Sequence, residues 1–204
     1  MHPYTNQINI GRIATSKKEL IDILKAWLAV SAAFGIVLGS SLSNFYASFI
    51  IAALTVGVGF LLHELGHKFA AQRYGCFAEF RSFDNMLILA IAMSFFGFVF
   101  AAPGAVMISG RINRKKNGII SAAGPLVNIA LALAFLALAF ANPPPNIFKL
   151  VASYGFIINS WLALFNMMPF WLFDGYKIWK WNKFAYSIIV GMAFVLVFGG
   201  NFAR

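Results

Sequence analysis

Residues 50–67 read IIAALTVGVGFLLHELGH, a long apolar run that ends in His63, Glu64 and His67. On a helix, positions i and i+4 lie one turn apart on one face, so both imidazoles can reach a single metal ion. Glu64 stands beside them, where it can take a proton from a water molecule that the metal activates. The alternative is that these side chains only pack between helices. Ionisable residues at membrane depth usually mark function, and two of the three histidines in the chain belong to this pattern.

The composition is that of a membrane protein. Of 204 residues, 61% are hydrophobic and 11% are charged, and the mean hydropathy is +0.79. Soluble domains carry about 25% charged residues, so a water-soluble fold is excluded. The net charge of +10 comes from short basic clusters between apolar runs, which is typical of cytoplasmic loops facing anionic lipid rather than of nucleic-acid binding. Cys76 is the only cysteine, which excludes an internal disulfide and a thiolate metal cage.

Five segments approach the length of about 20 apolar residues that a spanning helix needs. They lie at 24–43, 46–70, 118–141, 147–170 and 184–200, the last being short. The tract from Asn142 to Asn146 is a polar, proline-rich break between two of them. Ser16 and Glu19 have the spacing of a capping box, which predicts that the first helix begins there. We expect one membrane-embedded domain over 1–204 with a catalytic core at about 46–182, no separate soluble domain and no signal peptide.

The apolar stretch 85–110 is too short for two full crossings. Basic residues flank it on both sides, and because positive loops face the cytoplasm, both flanks should lie on one side of the membrane. We therefore predict that it enters the membrane and returns, as a helix followed by an extended strand near Pro103 to Ser109. Non-helical backbone at that depth must be covered by other parts of the protein.

This topology places 14 of the 16 Lys and Arg residues on the cytoplasmic side and leaves Lys149 and Arg204 outside. The fourteen are Arg12, Lys17, Lys18, Lys25, Lys68, Arg73, Arg81, Arg111, Arg114, Lys115, Lys116, Lys177, Lys180 and Lys183. A full crossing at 85–110 would put the clusters at 111–116 and 177–183 on opposite sides. The charge distribution therefore favours the re-entrant path.

Asp174 is the strongest candidate for a third metal ligand. No histidine follows His67, and the downstream carboxylates are Glu79, Asp84 and Asp174. The first two are predicted to lie in a charged, solvated surface loop. Asp174 ends the fourth predicted helix, which runs in the same direction as the second, so it should lie at the depth of the two histidines. The alternative is a helix-end residue paired with Lys177.

Three sequence blocks resemble the site-2 protease family of intramembrane metalloproteases, and they occur in the expected order. Residues 63–67 read HELGH, residues 124–128 read GPLVN, similar to the family's G-P-x-x-N, and residues 166–175 read NMMPFWLFDG, similar to its N-x-x-P-x-x-x-x-D-G. Many members have P-x-D-G-G in the third block, where this chain has Leu172 and Tyr176. Neither departure removes a ligand.

The resemblance implies that His63, His67 and Asp174 hold one Zn²⁺ ion per chain and that Glu64 is the general base and acid. It also implies that Asn128 and Asn166 bind the substrate by holding its backbone or polarising the scissile carbonyl. The alternative is that these amides only bond across helices. Pro169 is expected to kink the fourth helix so that it directs Asp174 toward the metal.

The sequence thus predicts an all-α polytopic membrane protein with five to six transmembrane helices and a short re-entrant or β-like hairpin. The predicted function is zinc-dependent hydrolysis of a peptide bond in or near a transmembrane segment of a membrane-protein substrate, with the active site toward the cytoplasm. The strand from Pro103 to Val106 is expected to pair with the extended substrate. The alternative is a metal-binding membrane protein that transports or chaperones without hydrolysis, and the intact Glu64 counts against it. The natural substrate and the oligomeric state stay open.

Overall fold

A computed structural model describes residues 7–10, 13–42, 44–99, 102–141 and 147–199. The predicted break at 142–146 lies outside the described residues. The described chain begins with a two-stranded antiparallel sheet, β1 (Gln7–Ile10) and β2 (Ile13–Ser16), which the sequence analysis did not predict. Helix α1 (Lys17–Leu42) follows. It begins where the capping pattern predicted, because the Ser16 hydroxyl oxygen accepts the backbone N–H of Glu19 at 3.2 Å.

The second helical run carries the HELGH sequence and is interrupted. It consists of α2 (Phe45–Ala52), a π-helical turn at Ala53–Gly57 and α3 (Val58–Arg73). A π turn inserts one extra residue into the helical ladder and is often found near functional sites. The Ala53 carbonyl oxygen of this turn accepts the indole N–H of Trp27 at 3.1 Å, so α1 is bonded to the helix just before the site begins.

Residues 77–109 form a strand–helix–strand unit. Strand β3 (Phe77–Ser82), helix α4 (Asp84–Ser94) and strand β4 (Gly104–Ser109) follow one another, and the strands pair antiparallel with Phe80 opposite Val106. The helix and the strand predicted within 85–110 are therefore present. Their insertion into the membrane stays a prediction.

The prediction that Glu79 lies in a solvated loop was wrong. Glu79 belongs to β3, is 4% exposed and pairs with Arg81. The segment Ala78, Glu79, Phe80, Arg81 alternates apolar and charged residues, which is the period-two pattern of a strand. Asp84 is exposed as predicted, but it begins α4 and pairs with Lys25 at 2.7 Å.

The C-terminal half contains α5 (Arg114–Phe140), α6 (Ile147–Asn166), α7 (Asp174–Trp181) and α8 (Lys183–Gly199). The prediction that the fourth spanning helix continues to residue 170 with a kink at Pro169 was wrong. Helix α6 ends at Asn166, and Pro169 lies in the segment that leads to α7. Proline disfavours helical backbone at the residue before it, which is consistent with this early end. Asp174 consequently begins a new helix instead of ending α6.

Within the described residues, four helical runs are long and apolar enough to cross a membrane: Lys17–Gly39, Phe45–Arg73, Arg114–Phe140 and Ile147–Asn166. Large apolar side chains such as Leu24, Leu133 and Trp161 lie exposed on their outer faces. A soluble protein rarely exposes extended apolar surface of this kind, so the chain is a membrane protein. The predicted fifth span corresponds to α8, an apolar helix of 17 residues, and the number of crossings stays a prediction.

Helix α5 lies at the centre of the fold, in contact with α3, α6, α7 and α8. Its Ala122 and Ile129 belong to one apolar cluster. The same cluster contains Ala163 of α6, Met167 just after α6, and Ile178 of α7. This packing sets α7 beside α5, and α5 beside the helix that carries HELGH. Three segments distant in sequence therefore meet around α5.

A buried ion pair joins α1 to α3. Lys68, which the charge pattern placed on the cytoplasmic side, is 2% exposed, and its Nζ donates to Glu19 Oε2 at 2.6 Å. The fully buried Glu19 carboxylate also accepts the Thr15 hydroxyl at 2.7 Å and the Phe80 backbone N–H at 2.8 Å. One side chain thus connects β2, α1, α3 and β3.

Replacing Lys68 with Met should destabilise the protein by about 3–5 kcal/mol, because it leaves the Glu19 charge buried without its counter-ion. Thermal unfolding in detergent, followed by circular dichroism, measures the loss. The double change Lys68→Met with Glu19→Gln should recover part of it, since no uncompensated charge remains. Lys25→Met is the matched control, because the nearest partner of Lys25 is the exposed Asp84. The buried Asp22 also lies 3.4 Å from Lys25 but keeps Arg81 at 3.9 Å, so the midpoint should shift little. Equal midpoints for Lys68→Met and Lys25→Met would contradict this view of the pair.

Candidate metal centre

His63 and His67 lie on the inner face of α3, one turn apart and both buried. Their Nε2 atoms are 3.1 Å apart, and the rings meet edge to face with their centroids separated by 4.7 Å. The predicted helical spacing thus directs both imidazoles to one point.

Asp174 joins them from the other end of the chain. It is 7% exposed, and its Oδ2 lies 3.3 Å from His63 Nε2 and 3.0 Å from His67 Nε2. One ligand atom from each residue lies within 4.8 Å of the other two. The structure therefore brings the three predicted metal ligands together, across more than a hundred residues of sequence.

The separations of these three atoms fit one small metal ion. A zinc ion binds histidine nitrogen and carboxylate oxygen at about 2.0–2.2 Å, so the edges of its coordination tetrahedron are about 3.3–3.5 Å long. The observed separations of 3.0–3.3 Å approach that length. Two imidazoles and a carboxylate are also the donor set of catalytic zinc sites, in which the fourth position is left for water or substrate. The residues present fit such an ion.

Each imidazole is oriented by an acceptor on α5. The Asn128 Oδ1 lies 2.6 Å from His63 Nδ1, and the Ile120 carbonyl oxygen lies 2.8 Å from His67 Nδ1. A carbonyl oxygen can only accept, so each Nδ1 donates its proton and each Nε2 presents a lone pair toward Asp174. Such partners fix ring orientation and tautomer in metal sites generally.

The charge on Asp174 suits a metal ligand. Lys177 Nζ lies 3.6 Å from the second oxygen, Oδ1. In its ionised form Asp174 can bind a metal through Oδ2, while Lys177 neutralises part of the charge at Oδ1.

Glu64 connects the metal centre to the hairpin. Its half-buried carboxylate accepts the backbone N–H of Val106 in β4 through Oε2 at 3.0 Å. This N–H points away from β3, so Val106 lies on the free edge of β4, and no strand of the described chain pairs with that edge. The predicted base and the predicted substrate strand are thus in direct contact.

The two predicted substrate-binding asparagines are placed differently. Asn128 is fully buried beside His63, and its Nδ2 donates to the Gly59 carbonyl at 3.1 Å and to Asn159 Oδ1 at 3.0 Å. Asn166 is half-buried at the end of α6 and donates to the Leu162 carbonyl of its own helix at 2.9 Å. The bonds of Asn128 are the interhelical bonds weighed as its alternative role, and substrate binding by either residue stays a prediction.

The glycines of the sequence blocks are explained by close approach. A Cβ on Gly124 would lie 2.5 Å from His67 Nε2 and 2.6 Å from His63 Nε2. A Cβ on Gly175 would overlap the Met167 carbonyl, which itself accepts the Tyr186 hydroxyl at 3.0 Å. The first glycine keeps α5 against the imidazoles, and the second fixes how the chain turns before Asp174 enters the site.

Asn159 was not predicted from the sequence as a residue of the site. It is a fully buried amide in α6 that bonds to Asn128 rather than to any predicted ligand. A signal was available, because an asparagine in the middle of an apolar spanning segment requires a partner. What the sequence does not contain is the identity of that partner.

Comparison with known proteins finds relatives whose names describe zinc metalloproteases. A "Putative zinc metalloprotease" of Methanocaldococcus jannaschii is 41% identical over 177 residues, covering 85% of this chain and 90% of that protein. A "Zinc metalloprotease" of the same organism is 26% identical over 144 residues, covering 70% of the chain and 37% of that protein. A "Putative zinc metalloprotease" of Mycolicibacterium smegmatis is 34% identical over 134 residues, covering 56% and 50%. No family model and no solved structure matches the chain.

Replacing Gly124 with Ala should abolish metal binding while the helices remain, because the added methyl carbon would lie only 2.5 Å from His67 Nε2 and 2.6 Å from His63 Nε2 and would displace both rings. Metal analysis of the purified protein, with circular dichroism for helix content, measures both. Gly191→Ala is the matched control, since a Cβ at that helical position meets nothing within 4 Å. Full metal content in Gly124→Ala would contradict the placement of the ion between α3 and α5.

Proposed function

The chain belongs to a family of zinc metalloproteases, and from that premise we propose that it is an intramembrane protease of the site-2 type. It hydrolyses a peptide bond in or near a transmembrane segment of a membrane-protein substrate. One observation carries the proposal: His63, His67 and Asp174 converge, with Glu64 beside them, in a chain whose described part contains four long apolar helices. The whole chain acts as one membrane-embedded domain with its catalytic core at about 46–182.

Zinc is the cofactor, and we assign His63, His67 and Asp174 as its ligands, with one ion per chain. When bound, zinc supplies Lewis acidity that activates water and polarises a carbonyl group. The protein contributes two Nε2 lone pairs, each fixed by a bond between α5 and the Nδ1 of the same ring. It also contributes the Asp174 carboxylate, whose second oxygen lies beside Lys177 of its own helix. It also keeps the site buried, so that these charges act in a medium of low polarity.

Glu64 is the general base and then the general acid. It follows a ligand directly in sequence, and the Val106 N–H holds its Oε2. The second carboxylate oxygen takes the proton of the attacking water and passes it to the leaving nitrogen. A residue that only supported a metal-storage site would need no such placement.

The free edge of β4 is the proposed docking strand for the substrate. A transmembrane helix hides its carbonyl groups, so the substrate must unwind before attack, and its freed backbone groups then need partners inside the membrane. The edge of β4 offers backbone N–H and C=O groups next to Glu64 and can accept an added strand. Asn128 and Asn166 stay predicted contacts of the substrate backbone.

The proposed topology has several crossings, with the active site toward the cytoplasm. The split of 14 basic residues against 2 supports this orientation. Lys68 should be left out of the fourteen cytoplasmic residues, because it is buried in an ion pair with Glu19 and is not a loop cation. The proposed partners are the lipid bilayer and a transmembrane protein substrate.

The second candidate function is a membrane protein that binds metal for transport or as a chaperone without hydrolysis. The metal ligands alone suit it equally well. Glu64 distinguishes the two, since its carboxylate is held between the metal centre and a free strand edge. Cleavage of a membrane-embedded test peptide that a zinc chelator blocks would exclude the second candidate.

Changing Glu64 to Gln should abolish cleavage of such a peptide and leave the zinc content at one ion per chain, because the amide cannot accept the proton. Changing Asp174 to Ala should instead lower the zinc content itself. Zinc analysis and a peptide-cleavage assay on both purified variants separate the roles. Activity in Glu64→Gln would overturn the assignment of the base.

Val106→Pro should impair cleavage severely while the zinc content stays normal, since proline removes the N–H that holds Glu64 and disrupts the strand edge. Val106→Ala is the matched control, because it keeps the N–H and removes only side-chain atoms. The comparison uses the same two assays. Equal cleavage by the Pro and Ala variants would argue against both the strand edge and the Glu64 contact.

A further inference from the structure

We propose that Asn159 is a positioning residue of the metal centre, which acts through Asn128 to hold His63 in the tautomer that binds metal. The inference rests on the proposed function, because it concerns a proposed zinc ligand. Asn159 lies in α6, is fully buried and bonds to none of the three ligands. Its effect on the site must therefore pass through a neighbour.

The orientation of Asn159 is determined within its own helix. Its Nδ2 donates to the Gly155 carbonyl oxygen at 2.9 Å. Because a carbonyl oxygen only accepts, this atom of Asn159 must be the nitrogen, and Oδ1 is directed toward α5. There it accepts the Nδ2 of Asn128 at 3.0 Å. Asn159 thus offers α5 a fixed acceptor.

These bonds determine the orientation of the Asn128 side-chain amide. Its two Nδ2 protons go to the Gly59 carbonyl at 3.1 Å and to Asn159 Oδ1. Its Oδ1 must then face His63 Nδ1, 2.6 Å away, and that nitrogen must carry the proton. The series of bonds that starts at Gly155 therefore ends with a lone pair on His63 Nε2.

Turning the Asn128 amide over would reverse this result. Its nitrogen would then face His63 Nδ1, which favours a proton on Nε2 and blocks the metal. Its oxygen would also face two acceptors, the Gly59 carbonyl and Asn159 Oδ1. If an apolar residue replaces Asn159, only the Gly59 carbonyl still disfavours the flipped amide. In the unflipped amide, one buried N–H of Asn128 then loses its partner.

Both protons of the Asn128 amide are occupied, which bears on its predicted role in binding substrate. A substrate carbonyl could bond to Nδ2 only after Asn128 gave up Gly59 or Asn159. The structure thus assigns this amide to the metal centre first.

The rival explanation is that Asn159 only packs against Gly59, where an added Cβ would lie 2.5 Å from Asn159 Oδ1.

A double-mutant cycle on zinc affinity separates the two explanations. The variants are Asn128→Ala, Asn159→Leu and the double change, and competition with a chelator in detergent gives their zinc dissociation constants. Asn128→Ala should weaken zinc binding about 10- to 100-fold, the usual effect of losing a partner of a metal ligand. Asn159→Leu should weaken it on the order of fivefold, as expected for one buried hydrogen bond. The double variant should bind zinc no more weakly than Asn128→Ala alone.

Asn159→Asp provides the rescue. A buried carboxyl group in this setting is neutral, so its O–H can donate to Gly155 while its other oxygen accepts from Asn128. Zinc affinity should then stay close to that of the wild type. Ser160→Ala is the matched control, because Ser160 is also buried in α6 but bonds only to the Phe156 carbonyl of its own helix, and it should leave zinc affinity unchanged.

The proposal would be overturned if the loss of zinc affinity in the double variant equalled the product of the losses in the two single variants. Wild-type zinc affinity in Asn159→Leu would overturn it as well. Thermal unfolding of the zinc-free proteins shows whether each variant is folded, and Asn159→Ala replaces the Leu variant in the cycle if the latter does not fold. Failure of the proposed function would be recognised separately, as absence of zinc binding by the wild type.

Discussion

The close contact between α3 and α5 is the constraint on which the metal centre depends. Gly66 lies against the backbone of Ala123, and Gly124 lies against both imidazole rings. At this separation the Ile120 carbonyl and the Asn128 amide reach the two Nδ1 atoms. A wider contact would leave two buried N–H groups without acceptors, which is costly in an apolar environment. The HELGH and GPLVN blocks are therefore the two sides of one interface.

Local spacing explains what could be predicted, and long-range partners explain what could not. The convergence of His63 and His67 follows from the helical repeat. Elimination among the downstream carboxylates singled out Asp174, although Asp174 begins α7 and does not end the fourth helix as predicted. The burial of Glu79 and Lys68 was missed because charged residues are mostly exposed unless paired. The partner of Lys68 lies 49 residues earlier in the chain, and no local pattern contains that information. The early end of α6 shows the same limit, since a proline can kink a helix or stop it.

Hydrogen bonding between elements specifies this fold as much as apolar contact does. Among the described residues outside the metal centre, no buried side-chain nitrogen or oxygen lacks a hydrogen-bond partner. Apolar packing in lipid is weakly directional, because lipid tails are as apolar as the side chains. The Glu19 carboxylate and the Asn128 amide instead bind partners on other elements with fixed geometry. They select one arrangement of helices among many that would bury similar apolar area.

The proposed third ligand, Asp174, is positioned by different elements from the two histidines. The candidate metal centre therefore joins two halves of the site, α3 with α5 on one side and α7 with α8 on the other. His63 and His67 are fixed by α5, whereas Asp174 depends on the turn at Gly175, the Met167 carbonyl and the Tyr186 hydroxyl of α8. An ion bound by all three links these halves directly. Because metal binding stabilises whichever arrangement presents the complete site, zinc affinity reports the packing of α7 against α5. Metal binding and the packing of α7 against α5 are thus expected to be energetically coupled.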